Sequence, residues 1–282
     1  MDFNAYLNLL SSQKNLPIIL FVVVFGVLAI LETRFAGYKE KIPRLLRWPN
    51  HFLLIAFNTL LFRVMLPGFC LWAAMSAAGH RFGLFNWVKV PITFGIIFTI
   101  IFLDWVFYYL HRVYHAVPWM WKIHRVHHTD LEVDISTGLR FHPIEIFITT
   151  MVEASVVYLL GAPVYGVFLF SLWLEVSTLF NHSNIFIPAV LEKIIRWVVI
   201  TPYMHRVHHS SNPTETNTNF GFNFSWWDRI LMTYHKPLEP GKENLGLSIF
   251  KETKYLRIKF LLLQPFLDPQ GHFKFKNIIR KN

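Results

Sequence analysis

The chain holds a single cysteine, Cys70, in 282 residues. That excludes a disulfide framework, a cysteine-ligated iron–sulfur cluster and a thiolate zinc site. Charge is also scarce, with Asp, Glu, Lys and Arg together only 16% of the residues, against about 25% in ordinary soluble domains. There is no G-x-G-x-x-G dinucleotide fingerprint and no H-E-x-x-H metalloprotease signature. What is plentiful is apolar: 54% of the chain, with a mean hydropathy of +0.38. One soluble core of this size cannot hide that much apolar surface, so the composition points to a membrane. The net charge of +10 suits an anionic membrane surface. A nucleic-acid partner is not expected, because such a reader concentrates charge on an otherwise polar fold.

Five stretches approach the roughly 20 apolar residues needed to cross a bilayer core of about 30 Å. They are Leu16 to Leu31, Phe52 to Ala78 (interrupted by Arg63 and Pro67), Val90 to Leu110, Ile144 to Leu160 and Pro163 to Phe180. The last two flank Gly161-Ala162-Pro163, a turn signal that predicts a helical hairpin. The first run has no small-residue cleavage site and reads as a retained anchor, not a signal peptide. Arg34, Lys39, Lys41, Arg44 and Arg47 crowd between the first two runs, which predicts a cytoplasmic connection. If the Phe52 to Ala78 run crosses once, the histidines described below also face the cytoplasm; a folded-back pair would reverse that parity. Val190 to Tyr203 is broken by Glu192, Lys193 and Arg196 and reads as an interfacial helix. The expected architecture is all-α: an integral membrane helical bundle of four or five transmembrane helices with a cytosolic helical cap. Residues 1–92 would be N-terminal membrane helices, 93–235 a catalytic domain, and 236–282 a basic cytoplasmic tail. The membrane would be a bacterial inner membrane or the endoplasmic reticulum.

Fourteen histidines are many for so apolar a chain, and three clusters stand out. His111 and His115 form an H-x-x-x-H; His124, His127 and His128 form an H-x-x-H-H; His205, His208 and His209 repeat it. Residues three and four apart share a helix face, and neutral imidazole is a good ligand for iron, zinc, copper or nickel. His142, opening the hairpin, and His182, closing it, fall at the same membrane face and join the candidate ligands. His51, His80, His235 and His272 stand apart. Ten imidazoles exceed what one ion can hold, so two ions with four or five each are expected. Iron is the economical choice because zinc is redox-inert, although zinc can replace it on purification.

The order of these boxes resembles the fatty acid hydroxylase and sterol desaturase superfamily of integral membrane di-iron enzymes. The likeness runs from about Thr93 to Tyr234. It rests on the Asp104 to His115 helix end, the two H-x-x-H-H boxes, Ser136-Thr137-Gly138-Leu139-Arg140-Phe141-His142-Pro143, His182-Ser183-Asn184 and Thr201-Pro202-Tyr203-Met204. Where the family reads Asn-Tyr-Gly and Trp-Asp-x-x-Phe-Gly-Thr, this chain has Asn219-Phe220-Gly221 and Trp227-Asp228-Arg229-Ile230-Leu231-Met232-Thr233. Those departures leave the histidines untouched. The resemblance implies an oxygen-dependent oxidoreductase acting on an unactivated C–H bond of a lipid such as a fatty acyl chain, an alkylglycerol or a sterol. Hydroxylation is favoured because the compact chain looks closer to bacterial-type hydroxylases and alkylglycerol monooxygenases; desaturation is the alternative. Electrons would come from a separate redox partner, a ferredoxin, a cytochrome of the b5 kind or a reduced pterin. The basic cytoplasmic surface would suit an acidic redox protein.

Carboxylates inside membrane spans are costly and need a reason. Asp104 precedes His111, and Glu175 precedes His182, by two helical turns. Both are expected to accept N–H bonds from ligand histidines on neighbouring elements, with Glu145 and Glu153 as further candidates. Arg112, Arg125 and Arg206 are read as solvated cytoplasmic arginines that could bind lipid phosphate or the redox partner. A membrane metal transporter is the non-enzymatic alternative. Transporters, however, place their ligands near the bilayer midplane, and these clusters lie outside the apolar runs.

Overall fold

The computed structural model describes residues 15–65, 68–237 and 244–268. Among them there is no β-strand, only three isolated bridges. In chain order the helices are α1 (Leu16–Arg34), α2 (Arg44–Met65), α3 (Phe69–Gly79), α4 (Leu84–Val88), α5 (Ile92–Ala116), α6 (Pro118–His128), α7 (Pro143–Leu160) and α8 (Val164–His182). Shorter ones follow: α9 (Ala189–Ile195), α10 (Pro202–His208), α11 (Pro213–Thr216), α12 (Trp226–Ile230) and α13 (Ile258–Leu263). A 3-10 turn, Ile135–Leu139, joins α6 to α7. Helices α6, α7, α10 and α11 each begin with proline, which lacks the N–H that the first turn leaves unused.

Helices α1, α5, α7 and α8 are long and apolar enough to cross a membrane. The Phe52 to Ala78 run is not among them: it is shared between α2, whose first turns are polar, and α3, which has only 11 residues. Gly68 stands at the break with φ of 61°, a left-handed conformation that glycine adopts without steric cost. Pro67 and the Arg63 side chain lie outside the described residues. The broken pair nevertheless runs along α7 in one direction. Asn58 donates to the Phe141 carbonyl at the start of α7 (2.9 Å), and the Cys70 thiol to the Thr150 carbonyl at its middle (3.8 Å). Gly83 then meets the end of α7 so closely that a Cβ there would lie 2.3 Å from the Gly161 nitrogen. The hairpin turn itself is Gly161, at φ of 65°.

The lower half of the bundle is an apolar core of Leu103, Phe107, Val157, Val167 and Phe170. At the other end, α5 runs for 25 residues, about 37 Å, and so carries its last turns beyond a 30 Å hydrocarbon layer. That end is locked by charge. Glu32 at the end of α1 accepts from the backbone of Ile135 (2.8 Å) and Asn184 (2.6 Å). Arg47 of α2, fully buried, forks onto Asp130 (2.9 Å) and Asp134 (2.7 Å) in the loop that follows α6. Burial alone would raise the Asp130 pKa, but Arg47, His51 and Arg140 hold it well below the usual carboxylate range. Residues 244–268 fold back over the same end, where Arg125 of α6 donates to the carbonyls of Gln264 (2.6 Å) and Leu267 (2.7 Å). Arg206 is likewise buried, donating to Val133 (2.9 Å) and lying over the Tyr38 ring. Neither arginine is solvated; each bridges the cap to its neighbours. Arg112 stacks over Tyr108 and Tyr109.

Candidate metal centre

Nine histidines converge at this end in two adjacent groups. His111 and His115 from α5, His124 and His128 from α6 and His208 from α10 form the first. His127 from α6, His182 from α8, and His205 and His209 at the second H-x-x-H-H box form the second. Within each group the ligand atoms all lie within 4.8 Å of one another. The groups abut: the His128 and His209 rings stack with centroids 4.6 Å apart. Each H-x-x-H-H box serves both groups, because neighbouring residues on a helix point about 100° apart.

Hydrogen bonds on the outer nitrogens fix the tautomers. His111 Nδ1 donates to the Phe220 carbonyl (2.8 Å), His208 Nδ1 to Thr218 (2.8 Å) and His182 Nδ1 to Thr178 (2.7 Å). His124 Nδ1 donates to the Glu145 carboxylate at 2.6 Å, and His115 Nδ1 to the Asn217 amide oxygen at 3.3 Å. A neutral imidazole has one N–H, so all five rings present a bare lone pair at Nε2. Yet His111 Nε2 lies 3.1 Å from His124 Nε2, lone pair to lone pair. In the second group His182 Nε2 lies 3.0 Å from His127 Nε2 and 2.9 Å from His205 Nε2. The inner nitrogens of His115 and His208 have no protein partner although buried.

This donor set fits metal ions. Two nitrogens each about 2.1 Å from one ion lie roughly 3.0–3.4 Å apart at right or tetrahedral angles, close to the separations seen. An ion would also turn the facing lone pairs from repulsive to bonding. Burial, with neighbouring imidazoles adding to it, holds His127, His128, His205, His208 and His209 well below the ordinary histidine pKa. All five are therefore neutral at pH 7, the form that ligates.

Other expected participants fall elsewhere. His142 belongs to neither group. It caps α7, its Nδ1 accepting from the Ile144 N–H (3.1 Å) while Nε2 donates to Leu262 (3.2 Å), so neither nitrogen is free for an ion. Asp104 accepts no hydrogen bond from a histidine among the described residues. Its carboxylate accepts from Asn223 Nδ2 (2.8 Å), Trp227 Nε1 (2.8 Å) and the Phe224 N–H (3.2 Å). It pins the 220–228 loop, whose Phe220 carbonyl in turn orients His111. Glu175 lines a crevice with Ile18 of α1 and Phe52 of α2, apart from the histidines. Glu145 is the carboxylate that meets a clustered ring. Of the other histidines, His51 is buried against Ser136 (2.9 Å), and His272 lies outside the described residues.

Sequence reasoning missed the loop that backs the rings. Asp228 accepts from the backbone of Phe220 (2.7 Å) and Gly221 (3.0 Å), and Asn219 bridges Met204 and His235. Their signal lay in the Asn219-Phe220-Gly221 and Trp227-Asp228 motifs, whose load is structural. Beside the first group lies a cavity of about 190 Å³ between α5, α7 and α8, with His111, His124 and Glu145 at one end and Phe107, Leu174 and Phe222 in its wall.

With membrane-length helices joined at one end by a centre of nine histidines, the chain is an integral membrane protein built around a paired imidazole site. Residues 96–233, which hold all nine rings, match the model of the fatty acid hydroxylase family. Among curated relatives is an ornithine lipid hydroxylase, OlsE, of Rhizobium tropici, 31% identical over 56% of this chain and 47% of its own length. The alkylglycerol monooxygenase of Xenopus tropicalis is 26% identical over 48% of this chain and 29% of its own. Human cholesterol 25-hydroxylase is 27% identical over 52% and 53%. The chain thus spans about half or less of the length of these relatives. No solved structure matches.

Proposed function

We propose that the protein is a membrane-bound di-iron oxidoreductase that hydroxylates a C–H bond of a lipid at the expense of dioxygen. One observation carries the reading: a largely apolar cavity among membrane helices ends against two rings, His111 and His124, whose bare nitrogens also face the first histidine group. A lipid chain in that cavity would bring a C–H bond to the metal group while its remainder stays out of water. Each named relative is a hydroxylase or monooxygenase of a lipid, in keeping with this.

In this reading His111, His115, His124, His128 and His208 hold one iron, and His127, His182, His205 and His209 the other. The irons supply the reductive activation of dioxygen. The protein does the rest. Glu145, Phe220, Thr218, Thr178 and Asn217 fix ring orientation. Phe107, Leu174 and Phe222 exclude water from the C–H bond. Residues 93–235 form the catalytic part. The histidine end faces the cytoplasm, as the Arg34 to Arg47 run at that same end favours. There a separate electron donor, an acidic redox protein or a reduced pterin, reaches it.

Mass spectrometry of membrane lipids with and without expression of the chain tests the proposal. One added oxygen per lipid, dependent on dioxygen, is expected. Loss of two hydrogens would make it a desaturase, and an unchanged lipid profile in iron-loaded membranes with a reductant present would contradict it.

A further inference from the structure

The cavity beside His111 and His124 is not apolar throughout. Glu145, Thr149, Thr150 and Glu153 of α7 all line it, and spacings of four place Glu145, Thr149 and Glu153 on one side of the helix. An alkyl chain has no use for such a wall, and each ionisable residue inside a membrane span needs a partner. Two of the groups have theirs. Glu145 takes the His124 N–H, and the Thr149 hydroxyl shares a hydrogen bond with the Tyr114 hydroxyl (3.1 Å). Glu153 is held only weakly. Its side-chain hydrogen-bond partner is Cys70, a weak donor whose thiol is shared with the Thr150 carbonyl.

We infer that Glu153, with Thr150 beside it, is a specificity-determining subsite that takes a hydrogen-bonding group, such as a hydroxyl, on an otherwise apolar substrate chain. The inference rests on the oxygenase reading for what happens at the other end of that chain. Eight residues separate Glu153 from Glu145, about 12 Å along the helix. The subsite therefore sets the reacting carbon about that far from the polar group, and selects functionalised lipids over plain hydrocarbon. Carboxyl recognition of a donor in a largely apolar cavity also discriminates, because a substrate without the donor leaves the carboxyl with only its weak thiol partner.

The test uses the full chain in lipid nanodiscs and a lipid-soluble carbodiimide, which modifies carboxyl groups in apolar surroundings. Labelling of Glu153 and of Glu175, which lines a different crevice, is followed by peptide mass spectrometry with decanol or decane present. Decanol is expected to slow labelling of Glu153 at least fivefold, decane less than twofold, and neither to affect Glu175. Equal protection by both, no protection by either, parallel protection of Glu175, or labelling of Glu175 without Glu153 would each overturn the inference. Labelling needs no turnover. Selective protection in a chain that oxidises no lipid would therefore retire the oxygenase reading and leave the subsite standing. In an active chain, Glu153→Leu should abolish the preference for decanol over decane and Glu153→Gln should keep it.

Discussion

An imidazole whose Nδ1–H is tied to an acceptor offers only a lone pair at Nε2, and here two such rings, His111 and His124, meet tip to tip at 3.1 Å. Their stability without a cation is poor, and so is the stability of a charged ring in so buried a place. Glu145 makes a carboxylate bond to a clustered ring, His124, so Glu145→Gln should weaken metal binding in the five-histidine group by about ten- to a hundredfold. Chelator competition on the purified protein would show it, with the four-histidine group unchanged. Acid should act through the same rings. His127, His128, His205, His208 and His209 have pKa values depressed by burial and by one another, whereas in the unfolded chain they titrate near about 6.5. Below that pH the unfolded state binds more protons than the folded one, so stability is full above it and falls as pH drops. The metal-free protein should therefore lose thermal stability steadily from about pH 7 to about pH 5. A melting temperature flat over that range would contradict the neutral-ring account.

The elements are held to one another by buried charge at the site end and by close backbone approach at the other. Arg47 joins α2 to the loop after α6 through two aspartates, with no exposure on either side. Arg47→Leu would take from Asp130 and Asp134 their shared buried cation, at a cost of about 3–5 kcal/mol. A thermal melt should drop accordingly, and Arg47→Lys, lacking the two-pronged fork, should recover only part of it. How much of this was legible varies with the range of the interaction. Periodicity within one segment found α5, α7 and α8 and the turn at Gly161, because each signal is local. The Phe52 to Ala78 run left a single crossing and a folded-back pair both open, since its course depends on a left-handed glycine at residue 68 and on where α2 finds polar partners. Asp104 misled for a similar reason. Two helical turns from His111 placed it on the right face, but the loop that meets it there arrives from residues 223–227, a pairing no local pattern reveals.

For the whole molecule, the histidine end gathers what the apolar core cannot hold: nine imidazoles, the arginine–aspartate lock, and a C-terminal segment folded across α6. The three boxes were readable because ligand chemistry demands fixed spacing. Their division into groups of five and four was not, because it depends on how four helices and a returning strandless segment face one another. His142 shows the limit, a histidine at the right face whose nitrogens are spent on a helix cap and a carbonyl. The account stands on two ions bound in two separable groups, and metal stoichiometry measures that directly. Iron-loaded protein should carry two ions per chain. One should remain when His182 and His205 are both changed to alanine, and one when His111 and His124 are. A single ion in the unaltered chain, or loss of both ions from either double variant while its fold persists, would contradict a centre of two independent sites.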